Sequence, residues 1–442
     1  MNRKLTCTIA LLLLLLTSFF SGCSEEPPAK KPVVRLTLKV PTLAMNCTTN
    51  PQVREAYDVL AEAAADFSAQ YQSAEVSFDI VKFDLAQEDS YISQCFDTEL
   101  AADILYEDFF NMQTYIHTGR VIPLDDIIDP DWRGDVPELY WRLGQVRNKT
   151  YMLPYLARQN VVGYNKSMFR QAGLEKYVTE DSAIQSWTLN EWEEILAALH
   201  DNLPPNNYAM AMYAKNEQSD THTMTWIRSR GSEFFDSQGR FQLSTPEGIA
   251  GLQWLKDNYD KGYYPPKSEN LVVRDCGKLF RNGQLAIKMV NGPSTEASDK
   301  NIGLVNFPTA DGRGVATAFV TGFAIFDNGN PARIRAAKDF LTFFYHNEKY
   351  LDYSAGNMPV STSVTEKYKA QIYRLDAFQQ NADHIVDFMA GNPNWRGVRH
   401  IFYRHIQNLL RGTASAAETA AAIDADCNAA IDRGYQESRL HP

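Results

Sequence analysis

The chain has 442 residues, a formal charge of −11 and 12% aromatic residues. This acidic balance argues against nucleic-acid binding, which depends on the neutralisation of phosphates by Lys and Arg. The sequence contains no nucleophile-elbow, metalloprotease, P-loop or dinucleotide-binding fingerprint, so we predict that the protein is not an enzyme and needs no cofactor.

The N-terminus has the pattern of an export signal. Two basic residues precede an apolar stretch at residues 9–16, which is shorter than the about 20 residues of a membrane-spanning helix. We therefore predict that residues 1–22 are a signal peptide. Ser21 and Gly22 directly before Cys23 resemble the bacterial lipoprotein box, which implies cleavage at this point and a diacylglycerol on the Cys23 thiol. An ordinary secretory signal that happens to contain a cysteine is the alternative.

The residues after the cysteine are polar and rich in proline. Residues 24–32 show no apolar period and fit an extended tether, so we assign residues 23–33 to the lipidated cysteine and its tether. The lipoprotein resemblance implies an exported protein that touches the outer face of the bacterial cell membrane only through its lipid anchor. About 420 residues then remain, which is enough for two domains or one large domain.

The first part of the mature chain alternates strands and helices. Residues 33–40 and 76–83 alternate in polarity and predict two strands, separated by an amphipathic helix over 52–71. A helix that contains Cys95 follows, and then a strand over 103–106. Strand–helix–strand alternation at this spacing predicts an α/β sheet with parallel strands.

The later part of the chain is rich in predicted helices. Thr188 is placed to cap the N-terminus of one helix, with acidic residues in its first turn. Pro246 is placed at the first position of another helix, which runs to about Tyr259. Two more helices are predicted over 398–410 and 415–432, near the C-terminus.

Short motifs follow one another in a fixed order along this mature chain. They are residues 102–106 with 119–125, 149–155 with 163–166, 187–192, 280–287 with 290–293, 336–341 and 356–359. None of them is specific alone, but their order behind an export signal resembles the extracellular solute-binding proteins of the maltose-binding type (family 1), a carbohydrate-uptake family. The resemblance covers nearly the whole mature chain.

The resemblance implies an α/β fold with two lobes, of the periplasmic-binding-protein type II. The ligand would lie in a cleft between the lobes, which crossing hinge segments join and which close by hinge bending. By position, the N-terminal lobe would comprise residues 34–157 and 304–355, and the C-terminal lobe residues 158–303 and 356–442.

The same resemblance implies the function of a transport receptor. The protein would act as a monomer that binds a sugar or oligosaccharide and delivers it to the permease subunits of an ABC importer, which a cytoplasmic ATPase drives. Two alternatives stay open. The same fold could bind a polyamine or a phosphate ester, or the chain could be a lipid-anchored glycan-processing enzyme.

Sugar recognition needs flat apolar rings together with hydrogen-bonding groups. The family places such groups in loops at strand ends. In this chain the positions implied are Trp395, Glu107, Asp108, Tyr155, Arg158, Trp226, Asn291, Thr321, Gly322, Thr48 and Asn50.

Several of these candidates also have a plain structural explanation. Trp395 could pack beneath its helix, Trp226 could lie in the core, and Glu107 or Asp108 could cap a helix. Tyr155 could be placed by the hinge backbone alone, and Thr48 to Asn50 could form a simple turn. The sequence also departs from the family, because Ser294 stands where the maltose-binding protein has a stacking Trp. That ring is therefore either missing or supplied from elsewhere, for example by Trp226 or Phe110.

Four cysteines remain after the signal and the anchor, and none lies in a metal-binding pattern. Cys47 and Cys95 fall in one predicted lobe, and Cys276 and Cys427 in the other. We predict a disulfide between Cys47 and Cys95, with free buried thiols as the alternative.

Overall fold

The computed structural model describes residues 31–47, 49–84, 88–179, 182–292, 297–387, 389 and 391–440. Within these ranges the strands are β1 (Val33–Pro41), β2 (Glu75–Phe83), β3 (Ile104–Asp108), β4 (Gln145–Val146), β5 (Lys149–Thr150), β6 (Leu153–Asn165), β7 (Ile184–Gln185), β8 (Tyr208–Met210), β9 (Leu285–Gly292), β10 (Ile302–Val305) and β11 (Thr317–Ile325).

The helices in the same ranges are α1 (Ala56–Gln70), α2 (Glu88–Gln94), α3 (Phe109–His117), α4 (Pro130–Asp135), α5 (Glu138–Leu143), α6 (Lys166–Gln171), α7 (Leu189–Asn202), α8 (Asp220–Arg228), α9 (Pro246–Asp260), α10 (Val273–Arg281), α11 (Pro331–Tyr345), α12 (Glu348–Asp352), α13 (Thr362–Tyr368), α14 (Leu375–Gln380), α15 (Trp395–Arg411) and α16 (Ala416–Glu437). Among these described helices, none has the length and apolar character needed to cross a bilayer.

One large mixed sheet organises the chain. Its strands follow the order β2-β1-β3-β11-β6-β10-β7, and β9 pairs with both β6 and β8. The three N-terminal strands are parallel, which confirms the prediction from their alternation with helices. From β11 onward the pairing changes, since β11 runs antiparallel to β3 and β6 runs antiparallel to β9, β10 and β11.

The long strand β6 joins two parts of the sheet. Its first half pairs with β11, and its second half pairs with β9 and β10. The register against β11 shifts between Thr321 and Gly322, where a Cβ on Gly322 would lie only 2.1 Å from the Leu153 carbonyl oxygen. Glycine is therefore required for the close approach of the two backbones at this bulge.

The helix starts follow the local chemistry that the sequence indicates. Thr188 caps α7 by accepting a hydrogen bond from the Glu191 backbone N–H, and the Glu191 side chain accepts one in return from the Thr188 backbone. Pro246 occupies the first turn of α9, which Thr245 caps. Helix α1 begins at Ala56 and not at residue 52, because the Asp58 carboxylate in its first turn accepts hydrogen bonds from the backbone N–H groups of Arg54 and Glu55 at 2.8 and 2.9 Å.

A row of four tryptophans crosses the core between α7, α8 and α9. The ring centroids are 6.1 Å apart from Trp187 to Trp192, 5.0 Å from Trp192 to Trp226 and 5.5 Å from Trp226 to Trp254. His222 meets Trp226 edge to face at 6.4 Å and continues this row towards one side of the molecule. The tryptophan row thus packs three helices together with large apolar surfaces.

The predicted disulfide is wrong, because Cys47 and Cys95 are both buried free thiols. The Cys47 sulfur lies 3.4 Å from the Thr49 hydroxyl in the loop after β1, whereas Cys95 directly follows α2. The two thiols therefore belong to different loops and pack separately. Cys276 and Cys427 are buried free thiols as well, and burial raises the pKa of Cys276 to about 12.

Candidate functional site

A cavity of about 430 Å³ lies where β6 exchanges β11 for β9 and β10 as partners. The strands contribute Arg158 of β6, Asn291 of β9, and Phe319 and Thr321 of β11 to its wall. Further wall residues come from the end of β1 and the loop after it, from the start of α3, from residues 213–221, from the start of α10 and from α15. We call this cavity the inner chamber. It brings side chains from widely separated parts of the chain around one space.

A wider space of about 1120 Å³ adjoins the inner chamber, and we call it the outer mouth. The two share Arg158, Asn291 and Phe319 in their walls. The outer mouth is extended by residues 44–46 of the loop after β1 and by Asn357. The Asn46 backbone N–H donates to the Asn357 side chain at 2.8 Å, which fixes this part of the rim. Together the two spaces could accommodate a ligand longer than a single sugar ring.

Three aromatic rings line the inner chamber. Phe110 and Phe319 meet at 5.0 Å between centroids, nearly edge to face. Tyr213 stacks on His222 at 4.6 Å with an angle of 20° between the rings. The Tyr213 hydroxyl makes no hydrogen bond to the described residues, and burial raises the pKa of Tyr213, so that this hydroxyl is neutral and can donate. Rings with adjacent hydrogen-bonding groups suit a sugar.

The α15 side of the inner chamber carries an internal ion pair. Arg399 Nε lies 2.5 Å from Asp220 Oδ2, and Asp220 is 1% exposed. Burial alone would lower the pKa of Arg399, but the ion pair with Asp220 outweighs it and raises that pKa. The Arg399 guanidinium also lies over the Phe110 ring, 5.1 Å from its centroid. The pair therefore fixes a charged group and a ring next to each other.

Arg158 stands on the opposite side, where β6 pairs with β11 opposite Phe319. Burial lowers the pKa of Arg158, while Tyr106 and Asp108 act in the opposite direction. No hydrogen bond or ion pair joins the Arg158 guanidinium to any of the residues that the structure describes. Its neighbour on the wall, Asn291, donates a short hydrogen bond to Asn160 across β9 and β6.

The two acids at the end of β3 have different positions. Asp108 lies on the chamber wall and also caps α3 by accepting from the Phe110 backbone N–H at 3.1 Å. Glu107 is fully buried behind the wall and accepts a hydrogen bond from Asn111 at 2.7 Å. Glu107 thus positions Asn111, which does line the chamber.

The prediction that Trp395 faces the cleft is wrong. Its side chain is 0% exposed and packs with the apolar face of α15 near Phe235, while Arg396, Arg399 and His400 reach the chamber. Trp226 is also in the core, as a member of the tryptophan row, and is 1% exposed. For both residues the structural alternative is correct, because the chamber wall is formed without them.

Three further candidates serve packing and not the chamber. Tyr155 is buried, and its hydroxyl donates to the Tyr350 carbonyl oxygen at 2.6 Å. Gly322 forms the bulge against β6. The amide of Asn50 donates to the Tyr353 hydroxyl at 3.3 Å and is not part of the wall.

Four predicted residues do lie on the wall, namely Asp108, Arg158, Asn291 and Thr321. Their contact with a ligand stays a prediction. Thr48, Ser294 and the anchor Cys23 lie outside the described residues. Phe110, which the sequence suggested as a replacement for the family's ring after residue 293, lines the inner chamber.

Some residues that line the inner chamber were not among the sequence candidates, namely Tyr213, Phe319, Arg396, Arg399 and His400. Phe319 and Tyr213 follow no local motif, and only long-range pairing brings them to the wall. In the described part of the chain, no group of three or more His, Cys, Asp or Glu residues could hold a metal ion.

Comparison with known proteins assigns a family. The sequence profile of the bacterial extracellular solute-binding proteins matches residues 50–350. A protein of Brucella abortus (strain 2308) described as a binding protein is 23% identical over 332 residues, which cover 71% of this chain and 76% of the relative. A Brucella suis protein with the same description matches equally well.

Solved structures show the same fold at low sequence identity. The maltose-bound MalE3 of T. maritima superposes with a TM-score of 0.69 at 16% identity, over 89% of this chain and 98% of that one. A binding protein for cyclic α-maltosyl-1,6-maltose from Arthrobacter globiformis gives 0.69 at 20% identity, over 91% and 100%. A chitin oligosaccharide binding protein gives 0.71 at 18% identity, over 90% and 99%. The fold is therefore that of the two-lobed binding proteins of the maltose-binding type.

Proposed function

Since the chain belongs to the bacterial extracellular solute-binding proteins, we propose that it is the substrate-binding receptor of an ABC importer for a sugar or oligosaccharide. The family is one of extracellular solute-binding proteins, and the Brucella relatives are described as binding proteins. The observation that carries the proposal is the inner chamber. Phe110, Phe319 and Tyr213 offer ring surfaces there, beside the hydrogen-bonding groups of Asn291 and Thr321.

The choice of a saccharide rests on the chemistry of this wall and on the relatives of the same fold. Structures with this fold include proteins that bind maltose, cyclic α-maltosyl-1,6-maltose and chitin oligosaccharides. Each is at most 20% identical to this chain, so the ligand class is a proposal for this protein. The outer mouth adds room for further sugar units beyond the chamber.

Delivery to the permease would follow from closure of the two lobes. We assign residues 34–157 and 304–355 to one lobe and residues 158–303 and 356–442 to the other. The division at residue 157 falls within β6, just before the strand changes partner. A ligand that contacts both lobes favours the closed form, because only differential binding can shift such an equilibrium. The closed form would be the one that the permease recognises.

The proposed anchor is a lipid on Cys23. A diacylated cysteine with a third chain would give stable attachment, which one acyl chain alone does not provide. Labelling of the expressed protein with radioactive palmitate tests this, with Cys23→Ser as the matched variant. Label in the wild type that is lost in the variant supports the anchor. Equal label in both proteins contradicts it.

A thermal-shift screen tests the ligand class. The chain from Ser24 to Pro442 is incubated with mono- and oligosaccharides, polyamines and phosphorylated solutes. A ligand that binds only the folded state at a hundredfold excess over its dissociation constant stabilises by about 2.7 kcal/mol. We expect the shift from saccharides, with the sugar recovered unchanged.

Other results would redirect the assignment. A rise in melting temperature with polyamines or phosphate esters alone would support the receptor function and reject a sugar as the ligand. A saccharide recovered cleaved would instead favour the glycan-processing enzyme and contradict the receptor.

A further inference from the structure

Arg158 lies at the boundary between the two parts of the cleft. It is among the residues shared by the inner chamber and the outer mouth, together with Asn291 and Phe319. It lies on β6 directly opposite Phe319 of β11, one residue before the pairing of β6 with β9 begins. A ligand that extends from the chamber into the mouth must therefore pass this guanidinium.

The absence of a protein partner distinguishes Arg158 from other arginines of limited exposure. Arg333 pairs with Asp103 at 2.5 Å, and Arg399 pairs with Asp220 at 2.5 Å. Buried Arg374 donates to two backbone carbonyl oxygens, at 2.6 and 2.7 Å. Arg158 makes no such contact with any residue in the described part of the chain.

Asp108 lies within electrostatic range of Arg158 but forms no ion pair with it. The Asp108 carboxylate accepts the N-terminal N–H of α3, and no ion pair within 4.0 Å joins it to Arg158 among the described residues. Arg399 is paired with Asp220 and lies within electrostatic range of Asp108 and Glu217. The Arg158 guanidinium at the boundary is therefore available to an acidic group of a ligand.

The chemistry of guanidinium then defines what the ligand carries. Arg is planar, remains charged and binds carboxylate, sulfate or phosphate oxygens in a bidentate manner. Enclosure of an unpaired charge is unfavourable, and a counter-charge on the ligand removes that penalty. Resting on the proposed saccharide function, we propose that the physiological ligand is an anionic saccharide, whose acidic group pairs with Arg158 at the boundary between inner chamber and outer mouth.

Isothermal titration calorimetry on the full chain purified in detergent tests this proposal. The probes are neutral di- and trisaccharides, each matched with its glucuronate or galacturonate counterpart, and the same sugars carrying sulfate or phosphate. We expect the best anionic probe to bind at least tenfold more tightly than its neutral parent. Its affinity should fall with added NaCl, while that of the neutral parent should not. The carboxylate, sulfate and phosphate arms identify which anion is used.

Variants of Arg158 test whether this residue produces the preference for the anionic sugar. Arg158→Gln should remove the preference for the anionic sugar over its neutral parent, whereas Arg158→Lys should retain part of that preference. Arg35→Gln is the matched control, because Arg35 pairs with Asp79 on an exposed part of β1, about 20 Å along the strand from the chamber. It should keep the full preference.

The outcomes separate the two proposals. A neutral parent that binds as tightly as its anionic partner, or a preference that survives in Arg158→Gln, overturns the anionic ligand and leaves the saccharide receptor in place. Should Arg158→Gln fail to fold, the salt dependence of the wild type decides the question. Failure of every saccharide, neutral and anionic, to bind rejects both proposals.

Discussion

Tyr213 combines a buried ring with a hydroxyl on the chamber wall. The ring stacks on His222, so that the hydroxyl is held in one place. We expect Tyr213→Phe to raise the dissociation constant of the best saccharide about fivefold, the effect of one lost hydrogen bond of about 1 kcal/mol. The melting temperature should change little, because the ring remains.

Titration calorimetry and a thermal melt on the same samples measure both effects. Tyr259→Phe is the matched control, since the Tyr259 hydroxyl donates to Glu269 at 2.9 Å away from the chamber. It should leave the dissociation constant unchanged. An unchanged affinity in Tyr213→Phe would remove Tyr213 from the binding site.

Trp395 is expected to act on stability. Its side chain is fully buried, and truncation of a buried Trp to Ala costs about 3–5 kcal/mol through lost burial and the cavity left behind. We predict this loss in urea unfolding of Trp395→Ala, with ligand affinity within about threefold of wild type. Phe319→Ala is the contrasting variant, because its half-buried ring lines the chamber. Phe319→Ala should weaken ligand binding more than it lowers the free energy of unfolding. A Trp395→Ala protein that loses ligand affinity but keeps its stability would place Trp395 in the binding site.

The sequence contained the signal that places Trp395 in the core. Trp395, Val398, Phe402, Ile406 and Leu409 recur at helical spacing and form the buried face of α15. The family resemblance favoured the cleft, and the periodicity was the better guide. Arg158, Asp108, Asn291 and Thr321 were predictable because each follows a motif of the family or a strand end. Tyr213 and Phe319 were not, because their place depends on strand pairing between distant segments.

At the scale of elements, helix caps can be read locally. The reciprocal hydrogen bonds of Thr188 and Glu191 satisfy two backbone groups at the start of α7. We predict that Thr188→Ala lowers the free energy of unfolding by about 1 kcal/mol. In the double variant with Glu191→Ala the losses should not add, because both residues serve one capping box.

Urea unfolding of the single and double variants measures this cap. Thr413→Ala provides a control, since Thr413 is exposed and donates only to the Asn408 carbonyl oxygen beyond the end of α15. Its effect should be within about 0.5 kcal/mol. An equal loss in Thr413→Ala would show that the cap makes no special contribution.

The strands were predictable where local alternation and burial agree. Residues 33–40 and 76–83 were expected as strands, and β1 and β2 match them to within one residue. The antiparallel entry of β11 between β3 and β6 was not predictable, because nothing local in residues 317–325 specifies partners more than 150 residues away. The length of β6 and its change of pairing partners could not be predicted either, because those partners are also distant in the sequence.

At the scale of the whole molecule, stability should depend on pH through a buried histidine. Burial lowers the pKa of His222 to about 3, against about 6.5 in the unfolded chain. Between these values the unfolded chain binds a proton that the folded protein excludes. The contribution of His222 is therefore complete above pH 6.5 and is lost as the pH falls towards 3, by at most about 1.4 kcal/mol per pH unit.

Urea unfolding at pH 7 and pH 5 measures this dependence. The wild type should lose about 2 kcal/mol through His222 over that interval, and His222→Gln should lose correspondingly less. Gln retains an amide that can donate to the Ala211 carbonyl oxygen, which His222 Nε2 approaches at 3.2 Å. Identical losses in the two proteins would show that His222 does not titrate in this way.

The tryptophan row has a consequence for spectroscopy. It continues from Trp226 through His222 to Tyr213, so an unbroken series of ring contacts leads from the core to the chamber wall. Indole emission responds to the local electric field. Occupancy of the chamber should therefore alter the intrinsic fluorescence of the unlabelled protein, through a reporter that does not touch the ligand. Intrinsic tryptophan fluorescence would then report ligand binding without an added label.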